Sequence, residues 1–129
     1  MRPILCLAYV VGLALATTLA YAAGCSSLAS YIDDARSALQ SALDADDISD
    51  AQDEASTAAS ALDDATTAAK SCGCQRAARD FDDAATHARN AEGEDERPDF
   101  REELHSAVSA FRDGVTCGWR NRNQAAIGI

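Results

Sequence analysis

Two sets of side chains in this sequence have the chemistry to bind a metal, exchange electrons or cross-link the chain. One is Cys25, Cys72, Cys74 and Cys117; the other is His87 with His105. Cys72 and Cys74 stand in Ser71-Cys72-Gly73-Cys74, between two long helical patterns. Cys25 lies just before the first helical pattern and Cys117 at the end of the last. A structural zinc site usually draws thiolates from paired C-x2-C knuckles, whereas this chain offers one C-x-C and two separate cysteines. A thioredoxin-like pair needs C-x-x-C in an α/β setting, which is missing. Structural disulfides are the remaining use. Of the three pairings, Cys72–Cys74 would close a very small strained ring. Cys25–Cys72 with Cys74–Cys117 is favoured, each bond tying the open end of a helical hairpin. Cys25–Cys74 with Cys72–Cys117 is the alternative, and either set is worth ~4 kcal/mol per bond in the loop-entropy model.

The histidines sit beside Ala88 and Leu104, at the edges of two apolar stripes. With Asp83 one turn before His87, and Glu102 near His105, they form a candidate transition-metal site. Two solvated helix-edge histidines are the plainer reading. Glu102-Glu103-Leu104-His105 has the Glu-x-x-His spacing of dimetal bundles, but the residue three before His87 is Ala84, so the required second copy is absent. Asp44-Ala45-Asp46-Asp47 opens like a calcium loop, yet its sixth and twelfth positions hold Ser49 and Ala55 in place of glycine and glutamate. There is no glycine-rich phosphate loop and no G-x-S-x-G. The expectation is a protein that binds and does not catalyse, with no cofactor.

The elements that must position these residues are helical throughout. Leu28, Ile32, Ala35, Leu39 and Leu43 mark one face of a first helix, with Ser26 or Ser27 available as its cap. Asp44 to Asp47 form a turn, and Asp47 can cap a second helix with Asp50 near its free amides. Ile48, Ala51, Ala55, Ala58, Leu62, Ala65 and Ala69 alternate spacings of three and four, the seam of a bundle. Most of that seam is alanine, which permits close approach but buries little apolar area. Gly73 breaks the helix between the cysteines. Ala77, Phe81, Ala84, Ala88 and Ala91 mark the third face, ending at Gly93, which tolerates positive φ. Pro98 suits the first turn of a fourth helix with core face Phe100, Leu104, Ala107, Phe111 and Val115, ending at Gly118. Short turns favour antiparallel neighbours. The fold expected is all-α: an antiparallel up-down-up-down four-helix bundle, two αα-hairpins stapled by two disulfides at one end. The cysteines would form one layer there, with Ile32, Ala65, Phe81 and Phe111 in the next.

Before the bundle, Arg2 and the uncharged apolar run from Ile4 to Leu19 lead to Ala20-Tyr21-Ala22, the form of a cleaved signal peptide. Domain boundaries are therefore expected at 1–22 (signal peptide), 23–118 (bundle) and 119–129 (a loosely held tail). Export to the periplasm or outside the cell follows. The rival is lipidation of Cys25 within Ala22-Ala23-Gly24-Cys25, giving a membrane-anchored envelope protein of structural role. Cleavage after Ala22 leaves four cysteines, an even set for an oxidising compartment, and parity favours it.

The chain has a formal net charge of -10; residues 1–22 hold one base and no acid, so cleavage moves it to -11. That argues against nucleic acid and against anionic membrane surfaces as partners, with a membrane expected only if Cys25 is lipidated. An up-down topology gathers Asp44, Asp46, Asp47, Asp50, Asp53 and Glu54 with Glu92, Glu94, Asp95, Glu96 and Asp99 at the tip opposite the cysteines, against Arg97 alone. Lys70, Arg76, Arg79, Arg112, Arg120 and Arg122 collect at the other end. Solvated helix termini account for many such acids. The sharper expectation is a tip that captures a basic protein or peptide, or divalent cations weakly.

Overall fold

The computed structural model describes the backbone over residues 26–127 and the side chains over 26–116. It is all-helical, with four helices and no strand among the described residues. Helix α1 covers 26–44, α2 is Ile48–Ser71, α3 is Gln75–Glu92 and α4 is Arg97–Ile127. The 1–22 segment and Cys25 lie outside the described residues, and α1 is already helical at Ser26.

Alternating apolar spacing places one stripe of each helix inside. The stripes read from periodicity are buried at Leu28, Ile32, Ala35 and Leu39, from Ala51 through Ala69, from Ala77 through Ala91, and at Phe100, Leu104, Ala107 and Phe111. Leu43, Ile48 and Val115, at the ends of their stripes, are half-buried against that core. Helix α3 packs along both α2 and α4, whereas α2 and α4 scarcely touch and so lie on a diagonal. As numbering rises along one helix it falls along its neighbour. Gln52 meets Glu94 while Arg89 donates to Asp63; His87 meets Glu103 while Phe81 meets Phe111. This arrangement is consistent with a four-helix bundle.

Local chemistry sets the helix ends. Asp47 has extended backbone and its carboxylate accepts the Ser49 amide at 3.1 Å, capping α2. At the other end of α2, Gly73 has φ 82°, the left-handed conformation that a side chain resists. Around it the Cys74 amide donates to the Ala69 carbonyl at 2.9 Å and the Gly73 amide to Lys70 at 3.2 Å. Those two bonds make a Schellman motif, which satisfies carbonyls that the helix would otherwise leave open. The same motif turns the chain tightly, so Cys72 and Cys74 both end up buried.

Two expected helix ends differ. Gly93 does close α3, but with φ -82°, so its value there is not positive φ. The backbone also remains helical through Gly118 to Ile127. A glycine inside a helix costs only about 1 kcal/mol, and Arg120, Arg122, Gln124, Ala125 and Ala126 are good helix formers.

Candidate functional site

The two turns opposite the cysteines lie at one end of the molecule. The Gln52 side-chain amide, in the second turn of α2, donates to the Glu94 backbone carbonyl at 2.9 Å, tying the start of α2 to the α3–α4 turn. Ala45 and Ile48 from the first turn share a small notch with Arg97, Phe100 and Arg101 from the start of α4. Asp44, Asp46, Asp47, Asp50, Glu92, Asp95 and Glu96 are exposed there, and Glu94 is half-buried. Asp44 is held by the Gln40 amide at 3.1 Å and Asp47 by its capping bond. The acidic residues thus surround a common end of the bundle on a fixed backbone. Sequence reading opposed them with Arg97 alone. Arg101, one helical turn further on, lines the same notch, so a second cation stands at the margin. It could have been anticipated, because positions 97 and 101 share a helix face.

The histidines are placed differently from each other. His87 is half-buried on α3, and its Nδ1 lies 2.8 Å from Glu103 Oε2 on α4. His105, Asp83 and Glu102 are exposed. Among the described residues no group of three His, Cys, Asp or Glu side chains is arranged to hold a metal ion. The partner of His87 is Glu103, which sequence reading passed over for its neighbour Glu102. Glu103 lies next to the core residue Leu104, on the side facing α3, and that adjacency was the available signal.

At the opposite end Cys72 and Cys74 are buried beside Ala69 and Ala77 in the core. Cys117 has helical backbone in α4, three residues beyond Gly114. Gly114 touches Phe81, so that stretch of α4 runs past the same end of α3.

The α3–α4 interface also carries a like-charge pair. Asp80, partly buried on α3, has its carboxyl held above the ordinary 3.8, first by burial and next by Asp113 on α4, with Asp83 adding and Arg76 and Arg79 opposing. A carboxyl with a raised folded pKa binds more protons in the native state than in the unfolded one. The contribution of Asp80 to stability therefore falls as pH rises from about 3.8 through the raised value. Asp80→Asn is expected to melt higher than wild type at pH 7, by an amount matching a few tenths of a kcal/mol. The difference should shrink as pH falls below about 3.8, where both are neutral. Melting curves across pH check this; an unchanged or lowered melting temperature at pH 7 would show that Asp80 is not under strain.

Two further features face solvent. Between α1 and α4 a groove of about 300 Å³ has Leu39, Leu43, Val108, Phe111 and Val115 as its apolar lining, with Arg36 and Arg112 at its sides. Between α1 and α2 an open polar trough of about 450 Å³ is lined by Asp34, Glu54 and Asp64 with Ser37, Ser41, Thr57 and Ser60. No described helix is long and apolar enough to cross a membrane. Comparison with protein-family models, with curated proteins and with solved structures found no match.

Proposed function

We propose that this chain is an exported, acidic helical-bundle protein that acts by binding and not by catalysis, with the acidic end as its recognition surface. Its partner is a basic protein or peptide, as for an inhibitor or a toxin-neutralising protein; divalent cations would bind there weakly. The observation that carries this reading is the Gln52–Glu94 bond, which ties the start of α2, just after the acidic Asp44–Asp47 turn, to the acidic turn of the other hairpin. Exposed like charges on a fixed backbone repel one another, and a cationic partner relieves that repulsion on association. Such charges steer encounter and give specificity more than raw affinity.

The finer architecture belongs to the same proposal. Two disulfides, Cys25–Cys72 with Cys74–Cys117, would staple the end away from the acidic tip. Burial of Cys72 and Cys74 by a single glycine turn supports that reading. Removal of residues 1–22 and release into a periplasmic or extracellular space complete it. The mass of the mature N-terminus distinguishes cleavage after Ala22 from lipidation at Cys25.

The test uses a defined cationic probe. A lysine- and arginine-rich peptide should bind the purified protein with affinity that falls steeply with salt. Replacing Asp46, Asp47, Glu94 and Glu96 by their amides should weaken binding by about tenfold or more, each removed charge contributing a few tenths of a kcal/mol or above. Circular dichroism should show the fold intact in that variant, since Asn can still cap α2 at position 47. Affinity indifferent to both salt and the four amides would reduce the tip to a solubilising surface.

A further inference from the structure

The seam between α1 and α4 differs from the others. Helices α2 and α3 meet through alanines, which allow close contact. Helices α1 and α4 meet through Leu39, Leu43, Val108 and Val115, and a groove of about 300 Å³ remains between them. Leu43, Val108 and Val115 are only half-buried, so their apolar surface continues from the core into the groove. Its volume lies at the lower end of the range for small-molecule sites.

The groove is also electrostatically out of character with the molecule. On a chain of net charge -10, its polar walls carry Arg36 from α1 and Arg112 from α4, one on each side. The Arg36 guanidinium lies 5.9 Å from the centre of the Phe111 ring, which also lines the groove. One Arg36 nitrogen donates to Asp33 at 3.1 Å, and that exposed pair leaves further guanidinium donors. Gln40, the remaining polar group of the groove, is engaged by Asp44. Among the described residues no carboxylate lines the groove. Two arginines beside an apolar channel complement one ligand chemistry: a small anionic head with an unbranched apolar tail. The guanidinium fork matches a carboxylate bidentately, and the tail would cover Leu39, Leu43 and Val108.

We infer that the α1–α4 groove binds a free medium-chain carboxylate, its head between Arg36 and Arg112 and its tail along the apolar seam. This site is separate from the acidic tip and does not depend on the reading given to it.

Decanoate, kept below its micelle concentration, is the probe. Titration followed by calorimetry, and by amide shifts in 15N spectra, should give saturable one-to-one binding with the largest shifts around Leu39, Val108 and Phe111. Decanol and acetate, which lack the head or the tail, should each bind at least tenfold more weakly. Arg36→Gln and Arg112→Gln should each weaken decanoate about tenfold, the loss expected for a hydrogen bond to a charged group. Both arginines are exposed, so the melting temperatures should stay close to wild type. Val108→Asn provides a second arm that removes tail contact and keeps the arginines. Equal affinity for decanol and decanoate, indifference to both arginine substitutions, or no saturable binding at millimolar decanoate would each overturn the assignment. Binding confined to anionic vesicles, with none to free decanoate, would overturn it too.

Discussion

Phe81→Asp should abolish the folded bundle: far-UV helicity falls and no cooperative melting transition remains. Phe81 has no exposed surface. Its ring lies 6.1 Å from that of Phe111, tilted by 43°, and its Cδ1–Cε1–Cζ edge lies against Gly114. Among the described residues no cation is buried to receive a carboxylate, so the charge would be buried unpaired, at a cost of the same order as the whole stability of a small domain. Phe81→Ala, which only removes the ring, should cost about 3–5 kcal/mol. Leu62→Asp tests the next seam in the same way, since Leu62 is also fully buried. Gly114 supplies the opposite perturbation. A Cβ there would stand 2.6 Å from Phe81 Cε1, too close for any real contact. Gly114→Ala should be net destabilising, an overpacking cost of about 1–3 kcal/mol outweighing about 1 kcal/mol of gained helix propensity. Phe81→Leu in that background should recover part of the loss, because the two positions share one space. Wild-type melting in Phe81→Asp would show that the seam is misassigned.

The second large effect concerns the cysteine end. Non-reducing peptide mapping of the protein made in an oxidising compartment should show no free thiol, and reduction should lower the melting temperature markedly. In the loop-entropy model each bond of the proposed pairing contributes ~4 kcal/mol. At several degrees per kcal/mol for a domain of this size, losing one bond should shift melting by roughly 15–30 °C. Cys72→Ser and Cys117→Ser made separately should show which cysteines are joined, since partners lose the same bond and their double variant loses no more. Alkylation of Cys72 and Cys74 in native, unreduced protein would sink the staple.

The core was legible because its signal is local and repeated. Ala51, Ala55, Ala58, Leu62, Ala65 and Ala69 follow one spacing rule over three heptads, and each is buried. Asp47 was legible as a cap because its carboxylate needs only the amide two residues on. What escaped depends on contacts between helices, or on glycines with two uses. Gly93 and Gly73 look alike in sequence, yet only Gly73 takes positive φ. Gly114 has no side chain to enter a hydrophobic pattern, and its role appears only when the Phe81 ring lies on it. Arg36 and Arg112 read as ordinary surface charges, although each adjoins a core residue, Ala35 and Phe111. Their shared groove exists because the first and last helices meet, which no local window contains.

The alanine seams also bear on how the bundle responds to temperature. The heat-capacity change on unfolding scales with the apolar surface newly exposed to water, and a core built mostly of methyl groups exposes little of it per residue. The value should fall below the ~12–15 cal/mol/K per residue common to globular domains. A small heat-capacity change makes a broad, shallow free-energy dome. Stability would then vary little between cold and warm conditions, and the bundle would stay folded over a wide thermal range.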